Sequence, residues 1–62
     1  MEESQAQSQA EAKRVLIVED EPLLGNLLKQ RLGKEGFSVT LVRDGEEAFR
    51  VLQAEVPDLV LL

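Results

Sequence analysis

Residues 14–22 read RVLIVEDEP, an apolar run that ends abruptly in three acids and a proline. Continuous apolar residues, rich in β-branched side chains, predict a strand buried on both faces, as in a parallel sheet. Pro22 suits the first turn of a helix, because that position does not need the N–H that proline lacks. The segment therefore predicts a buried strand, an acidic turn and the start of a helix.

The next segment, from Leu23 to Glu35, has the leucine spacing of an amphipathic helix. Gly36 fits the position just after the helix, where the backbone dihedral φ is usually positive. We expect one broad leucine face to lie against a sheet. Its members are Leu23, Leu24, Leu27, Leu28 and Leu32.

A second strand and a second helix follow. Residues 37–42 alternate apolar and polar for most of their length, which predicts a half-exposed edge strand. Asp44 followed three residues later by Glu47 resembles a capping box, and Pro57 ends the helix. The predicted buried face of this helix comprises Ala48, Val51 and Leu52 with Glu55 or Val56, and we expect both phenylalanines, Phe37 and Phe49, in the core.

The run Leu59–Leu62 is a second continuous apolar segment. Exposed edge strands usually carry a lysine, a proline or a bulge that discourages pairing with other chains. This run contains no lysine and no proline, so it predicts an interior strand whose outer neighbour is absent. The chain then has the order β-α-β-α-β, and right-handed crossovers predict a parallel sheet with strand order 2-1-3 and helices on opposite faces.

Composition limits the classes of function. The chain has 62 residues, 12 acids against 7 bases, a formal net charge of −5, and neither Cys nor His. One small domain fits this length, while disulfides, structural zinc and catalysis by Cys or His are excluded. The acidic balance argues against direct nucleic-acid binding.

No run is apolar enough for a membrane span or a secretory signal, so we expect a cytoplasmic protein. Residues 1–13 predict a disordered polar tail, and residues 14–62 the domain.

Glu19, Asp20 and Glu21 lie where the first strand ends. In open α/β sheets, ligands bind beyond the carboxyl ends of the strands, at the switch in strand order. Clustered carboxylates there favour a hard cation such as Mg²⁺. Acids at the start of a helix also stabilise its dipole without any metal, and the pattern leaves both explanations open. The turn lacks the glycines of a phosphate loop, and no catalytic constellation can be assembled, so we do not expect an enzyme.

Four segments together resemble the first half of a bacterial response-regulator receiver domain, which has a flavodoxin-like doubly wound fold. They are the run 14–22, the pair Gly36-Phe37, the helix start at residues 44–48 and the segment 57–62. The resemblance covers about residues 13–62. It implies a partial receiver fold, truncated before the fourth strand, in a protein that accepts a phosphoryl group from a sensor histidine kinase.

The resemblance also implies roles for particular residues. Glu19 and Asp20 correspond to the acidic pair that binds Mg²⁺, with Asp20 the direct ligand and Glu19 acting through water or by shaping the pocket. The family's phosphoacceptor Asp is expected immediately after Leu62, so the chain as given is not expected to be phosphorylated. Asp58 is no substitute, because it lies at the start of the third strand, at the opposite end of the sheet.

An alternative of a different class is a self-associating interaction module. The strand Leu59–Leu62, which carries no lysine or proline to discourage pairing, could pair with a second copy of the chain and so form a homo-oligomer.

Overall fold

Strands and helices alternate along the chain, as the apolar pattern predicts. The structure is a computed structural model that describes residues 12–62, so the predicted tail, residues 1–13, lies outside the described residues except for its last two positions. The elements are β1 (Arg14–Val18), α1 (Pro22–Lys34), β2 (Ser38–Val42), α2 (Gly45–Ala54) and β3 (Leu59–Leu61). None of the described helices is both long and apolar enough to cross a membrane.

The three strands form one parallel sheet in the order β2-β1-β3. Arg14 pairs with Ser38 of β2, and Val15 pairs with Leu59 of β3. The central strand is the best buried part of the described chain, since Val15, Leu16 and Ile17 are only 1–2% exposed. The predicted fold class, strand order and central position of β1 are therefore confirmed.

The two helices cover opposite faces of the sheet. On one face Leu16 and Val42 pack with Ala48 of α2. On the other face Gly25 of α1 lies against Leu41. Leu41 and Val42 are neighbours in β2, and successive side chains of a strand point to opposite faces. The sheet is thus the middle layer of three, as the continuous apolar character of β1 requires.

Local sequence signals set the ends of both helices. Asp44 caps α2, since its Oδ1 accepts a hydrogen bond of 2.9 Å from the Glu47 N–H. The Glu47 carboxylate in turn accepts from the backbone N–H of Arg43, one residue before the cap. At the end of α1, Gly36 follows the cap residue with φ of +100°, the left-handed conformation that glycine adopts without strain.

The prediction of a broad buried leucine face on α1 is wrong, because only part of that face is buried. Leu28 and Leu32 are half-buried, whereas Leu23, Leu24 and Leu27 are exposed, Leu23 to 83%. The only buried residue of α1 is Gly25. The helix therefore contacts the sheet closely at Gly25. Of the predicted leucine face, the described sheet covers only the part that contains Leu28 and Leu32.

Two further predictions about burial need correction. Phe37 is half-buried, but Phe49 is 62% exposed, so it is not a core residue of the described structure. Leu52 of the predicted buried face is also exposed, as are Glu55 and Val56, because the helix ends at Ala54. By contrast, β3 has no outer neighbour among the described residues, as the sequence predicts, and its Leu59 and Val60 are partly open to solvent. These apolar groups lie around the outer side of α2 and β3, where residues 12–62 provide no covering layer.

Candidate functional site

The acidic turn lies at the carboxyl end of the central strand, beside a cavity of about 320 Å³. The Glu19 N–H donates to the Val42 carbonyl at 2.9 Å, which continues the β1–β2 ladder by one residue and fixes the start of the turn. Glu19 and Asp20 both line the cavity. The structure therefore places the two predicted metal ligands at one opening, at the edge of the sheet where ligands of such folds bind.

The two carboxylates have different local environments. Glu19 is half-buried, and its Oε2 accepts a hydrogen bond of 3.1 Å from the Glu21 N–H. Glu21 is the N-terminal cap residue of α1, and the first helical turn contains no acid. One oxygen of Glu19 thus satisfies a backbone donor at the helix start. The sequence left open that Asp20 and Glu21 stabilise the helix end, whereas in this structure the acid that accepts from a backbone N–H there is Glu19.

Asp20 remains available for a ligand. It is exposed, and its carboxylate accepts no hydrogen bond from any other residue between 12 and 62. Mg²⁺ is usually held by one or two carboxylates and keeps several waters, so Asp20 with the second oxygen of Glu19 is a fitting donor set. Within the described part of the chain, no group of three or more carboxylates converges as a fuller metal site would. The pair therefore fits a weakly held, largely hydrated ion.

Three polar residues that were not predicted as part of a site share this cavity. They are Asn26 of α1, Arg43 directly after β2, and Glu47 in the first turn of α2. A sequence signal for the last two was available. In a parallel sheet the residues that follow each strand, and the first turn of the next helix, lie at the same edge. The lining of the cavity consequently has mixed charge, with one arginine among three acidic residues.

The opposite end of the sheet holds a separate polar cluster. The backbone N–H of Arg14 donates to Asp58 Oδ2 at 2.7 Å, and the Asp58 N–H donates to the Arg14 carbonyl at 2.8 Å. The Arg14 guanidinium also pairs with Glu55 at 3.2 Å. From Arg14 to Glu19 the strand rises roughly 16 Å, at about 3.3 Å per residue. Asp58 therefore lies at the far end of the sheet from the acidic turn, as the sequence predicts.

A second cavity, of about 210 Å³, lies beside this amino-end cluster. Its polar lining includes Arg14 and Glu55, which are already paired with each other, together with Ser38 and Thr40. Among residues 12–62, its lining contains no second carboxylate that could share a cation with Glu55. The cavity at the carboxyl end is therefore the better candidate for a functional site.

Comparison with known proteins agrees with this geometry. The family model described as the response regulator receiver domain matches residues 15–62. The chain is similar to the alkaline phosphatase synthesis transcriptional regulatory protein PhoP of Bacillus subtilis, with 40% identity over 50 residues that cover 81% of this chain and 21% of PhoP. It is also similar to the transcriptional regulatory protein TrcR of Mycobacterium tuberculosis, with 45% identity over 49 residues that cover 79% of this chain and 19% of TrcR. The chain thus spans about a fifth of the length of these relatives. No solved structure gives a significant match.

Proposed function

The chain belongs to the response regulator receiver domain family of two-component signalling, and from this membership we propose that it supplies the Mg²⁺-binding part of a phosphoryl acceptor. The phosphoryl donor is a sensor histidine kinase, and the step takes place in the cytoplasm. The chain acts as a relay component and does not turn over a small-molecule substrate. The observation that carries this proposal is the position of Asp20, exposed and without a hydrogen-bond partner among residues 12–62, beside the cavity at the carboxyl end of β1.

The two acids have separate tasks in this proposal. Asp20 binds the cation directly, because it is exposed and lines the cavity. Glu19 orients the turn through its hydrogen bond to the Glu21 N–H and faces the ion through its other oxygen or through a water. A Mg²⁺ ion at this position offsets the negative charge on the oxygens of a phosphoryl group during transfer. Both residues hold their positions because they follow the most deeply buried strand.

The strand register supports an acceptor immediately after Leu62. Ile17 pairs with Leu61, so Leu62 comes level with Val18, and the next position along the chain comes level with Glu19. A carboxylate at that position is therefore adjacent to the acidic turn in a longer protein of this family. Asp58 cannot take this role, since it pairs with Arg14 at the other end of the sheet.

Replacing Asp20 with asparagine tests the metal site. We expect the Asp20→Asn variant to bind Mg²⁺ at least about tenfold more weakly than the natural chain, because even outer-shell partners of a metal usually contribute 10–100-fold. The measurement is a Mg²⁺ titration followed by amide chemical shifts, with the largest shifts at Glu19 and Asp20. Asp58→Asn is the matched control, as it makes the same chemical change at the opposite end of the sheet. Equal affinities in Asp20→Asn and the natural chain would rule out a site at the acidic turn.

A second candidate function is self-association through β3. The outer edge of this strand favours self-association, because it pairs with no other strand among the described residues. Two side chains of the strand, Leu59 and Val60, are also exposed. Within Leu59–Leu61 there is no lysine, proline or bulge to discourage pairing. A second copy could add its own β3 to this edge and bury both apolar strands.

Sedimentation equilibrium tests this second function. We expect the natural chain to show a mass that rises with concentration, and Leu59→Lys to weaken association by roughly tenfold or more, which corresponds to about 1.4 kcal/mol. Val56→Lys is the control, because it introduces the same charge at an exposed apolar residue outside any strand. A natural chain that remains monomeric at high micromolar concentration would exclude this function.

A further inference from the structure

Arg43 has no role in the function proposed above, yet it lines the same cavity as the acidic pair. It follows β2 directly, and its backbone N–H is held by the Glu47 carboxylate at 2.9 Å. This bond fixes the position from which the side chain extends. The ion pairs between described residues join Arg14 to Glu55 and Arg31 to Glu35. The guanidinium of Arg43 is therefore not committed to any carboxylate of residues 12–62.

The charged residues that line the cavity are Glu19, Asp20, Glu47 and Arg43. Because they line one cavity of about 320 Å³, their separations are on the order of a Debye length, about 8 Å at physiological ionic strength. Their mutual interactions are consequently not fully screened by salt. An uncommitted cation at such a distance lowers the negative potential that attracts a metal ion.

We infer that Arg43 is a built-in counter-cation of the acidic turn, which offsets the charge of Glu19 and Asp20 in the metal-free protein and thereby weakens Mg²⁺ binding. This inference rests on the proposed function, because it takes Mg²⁺ as the ligand of the acidic pair. Arg43 is a positioning residue in this scheme and does not itself contact the ion. Its charge sets the cation concentration at which the acidic turn becomes loaded.

The expected size of the effect follows from Coulomb's law. A single and a double positive charge about 8 Å apart in water repel enough to change affinity about fivefold at low ionic strength. Screening reduces this change to about twofold at physiological ionic strength. The Arg43→Gln variant should therefore bind Mg²⁺ about fivefold more tightly than the natural chain in low salt. The gain should shrink as salt is added.

A Mg²⁺ titration of the full chain at two ionic strengths, followed by amide chemical shifts, tests this inference. Lys34→Gln is the control, since it removes one positive charge at the far end of α1, about 18 Å along the helix from Pro22. We expect its Mg²⁺ affinity to match that of the natural chain. Unchanged or weaker binding in Arg43→Gln would overturn the inference, as would an equal gain in Lys34→Gln.

A double-mutant cycle in metal-free buffer separates this inference from the proposed function. Urea unfolding of the natural chain, Asp20→Asn, Arg43→Gln and the double variant measures the interaction between the two side chains. Attraction between them should appear as non-additivity of about twofold in the unfolding constant at low ionic strength. Additive effects would overturn the counter-cation role. If neither the natural chain nor Arg43→Gln responds to Mg²⁺, the proposed metal site fails and competition with Mg²⁺ fails with it, whereas coupling in the cycle would still support the counter-cation role.

Discussion

Replacing Leu16 with alanine is expected to lower the free energy of unfolding by about 2–5 kcal/mol, enough to remove most of the stability of so small a domain. Leu16 is 1% exposed and packs against Val42 and Ala48, with Val18 and Val51 at the border of the cluster. Truncation removes the contacts of the leucine side chain and leaves a cavity between the sheet and α2. The measurement is urea unfolding followed by far-ultraviolet circular dichroism.

Leu23→Ala is the matched control for this experiment. It deletes the same atoms from a leucine that is 83% exposed on α1, where alanine is as good a helix former. We expect its unfolding midpoint to stay close to that of the natural chain. A milder variant on the opposite face of β1, Ile17→Val, should cost about 0.5–1.5 kcal/mol and remain measurable if Leu16→Ala does not fold. Similar losses in Leu16→Ala and Leu23→Ala would contradict the assignment of the core.

Replacing Gly25 with valine is expected to cost about 1–3 kcal/mol through overpacking. A Cβ atom at this position would lie 3.1 and 3.2 Å from the two terminal methyl carbons of Leu41 and 3.7 Å from the Cβ of Glu19. The two methyl groups of valine would add further atoms to this crowded space. Either the Leu41 side chain or the helix must then shift, and a shift of the helix also disturbs the turn that carries Asp20. Urea unfolding measures the loss of stability, and a Mg²⁺ titration measures the effect on the turn.

Gly33→Val provides the comparison that isolates this close approach. Gly33 lies in the same helix, but a Cβ there would have nothing within 4 Å. The change in helix propensity is the same in both variants and favours valine by a few tenths of a kcal/mol. We therefore expect Gly33→Val to be neutral or slightly stabilising. Equal effects of the two substitutions would show that packing against Leu41 does not limit the helix at Gly25.

Much of the fold could be predicted because its signals are local. The continuous apolar run of β1, the cap at Asp44 and the glycine at position 36 each have a direct physical cause within a few residues. Their alternation along the chain, with the rule for right-handed crossovers, was enough to order the strands as 2-1-3. The structure confirms this order and moves the ends of the elements by only one or two residues.

Side-chain burial was less predictable than the fold, because helical spacing defines an apolar face but does not determine how much of that face the sheet covers. Leu23 and Leu27 have the same periodicity as Leu28, yet only Leu28 is half-buried in the described structure. Phe49 is likewise exposed although its spacing resembles that of a core residue. In both helices, the contact with the sheet is narrower than the apolar arc of the sequence.

The candidate site likewise has features that could be predicted from the sequence and features that could not. The position of Glu19 and Asp20 after a buried strand was sufficient to predict that they lie together at the carboxyl edge of the sheet. The Glu19 hydrogen bond to the N–H of Glu21 and the presence of Arg43 beside the pair were not predicted. These features depend on how the ends of β1 and β2 meet the starts of α1 and α2.

The sequence by itself determined the class of fold, the strand order and the acidic turn, because hydrophobic patterning and backbone capping act over short stretches of chain. Only the tertiary structure decided that Gly25 is the point where α1 contacts the sheet and that Arg43 shares a cavity with Asp20. Such contacts join residues distant in sequence, and their geometry is set by the packing of helices on a sheet. No local pattern specifies that packing.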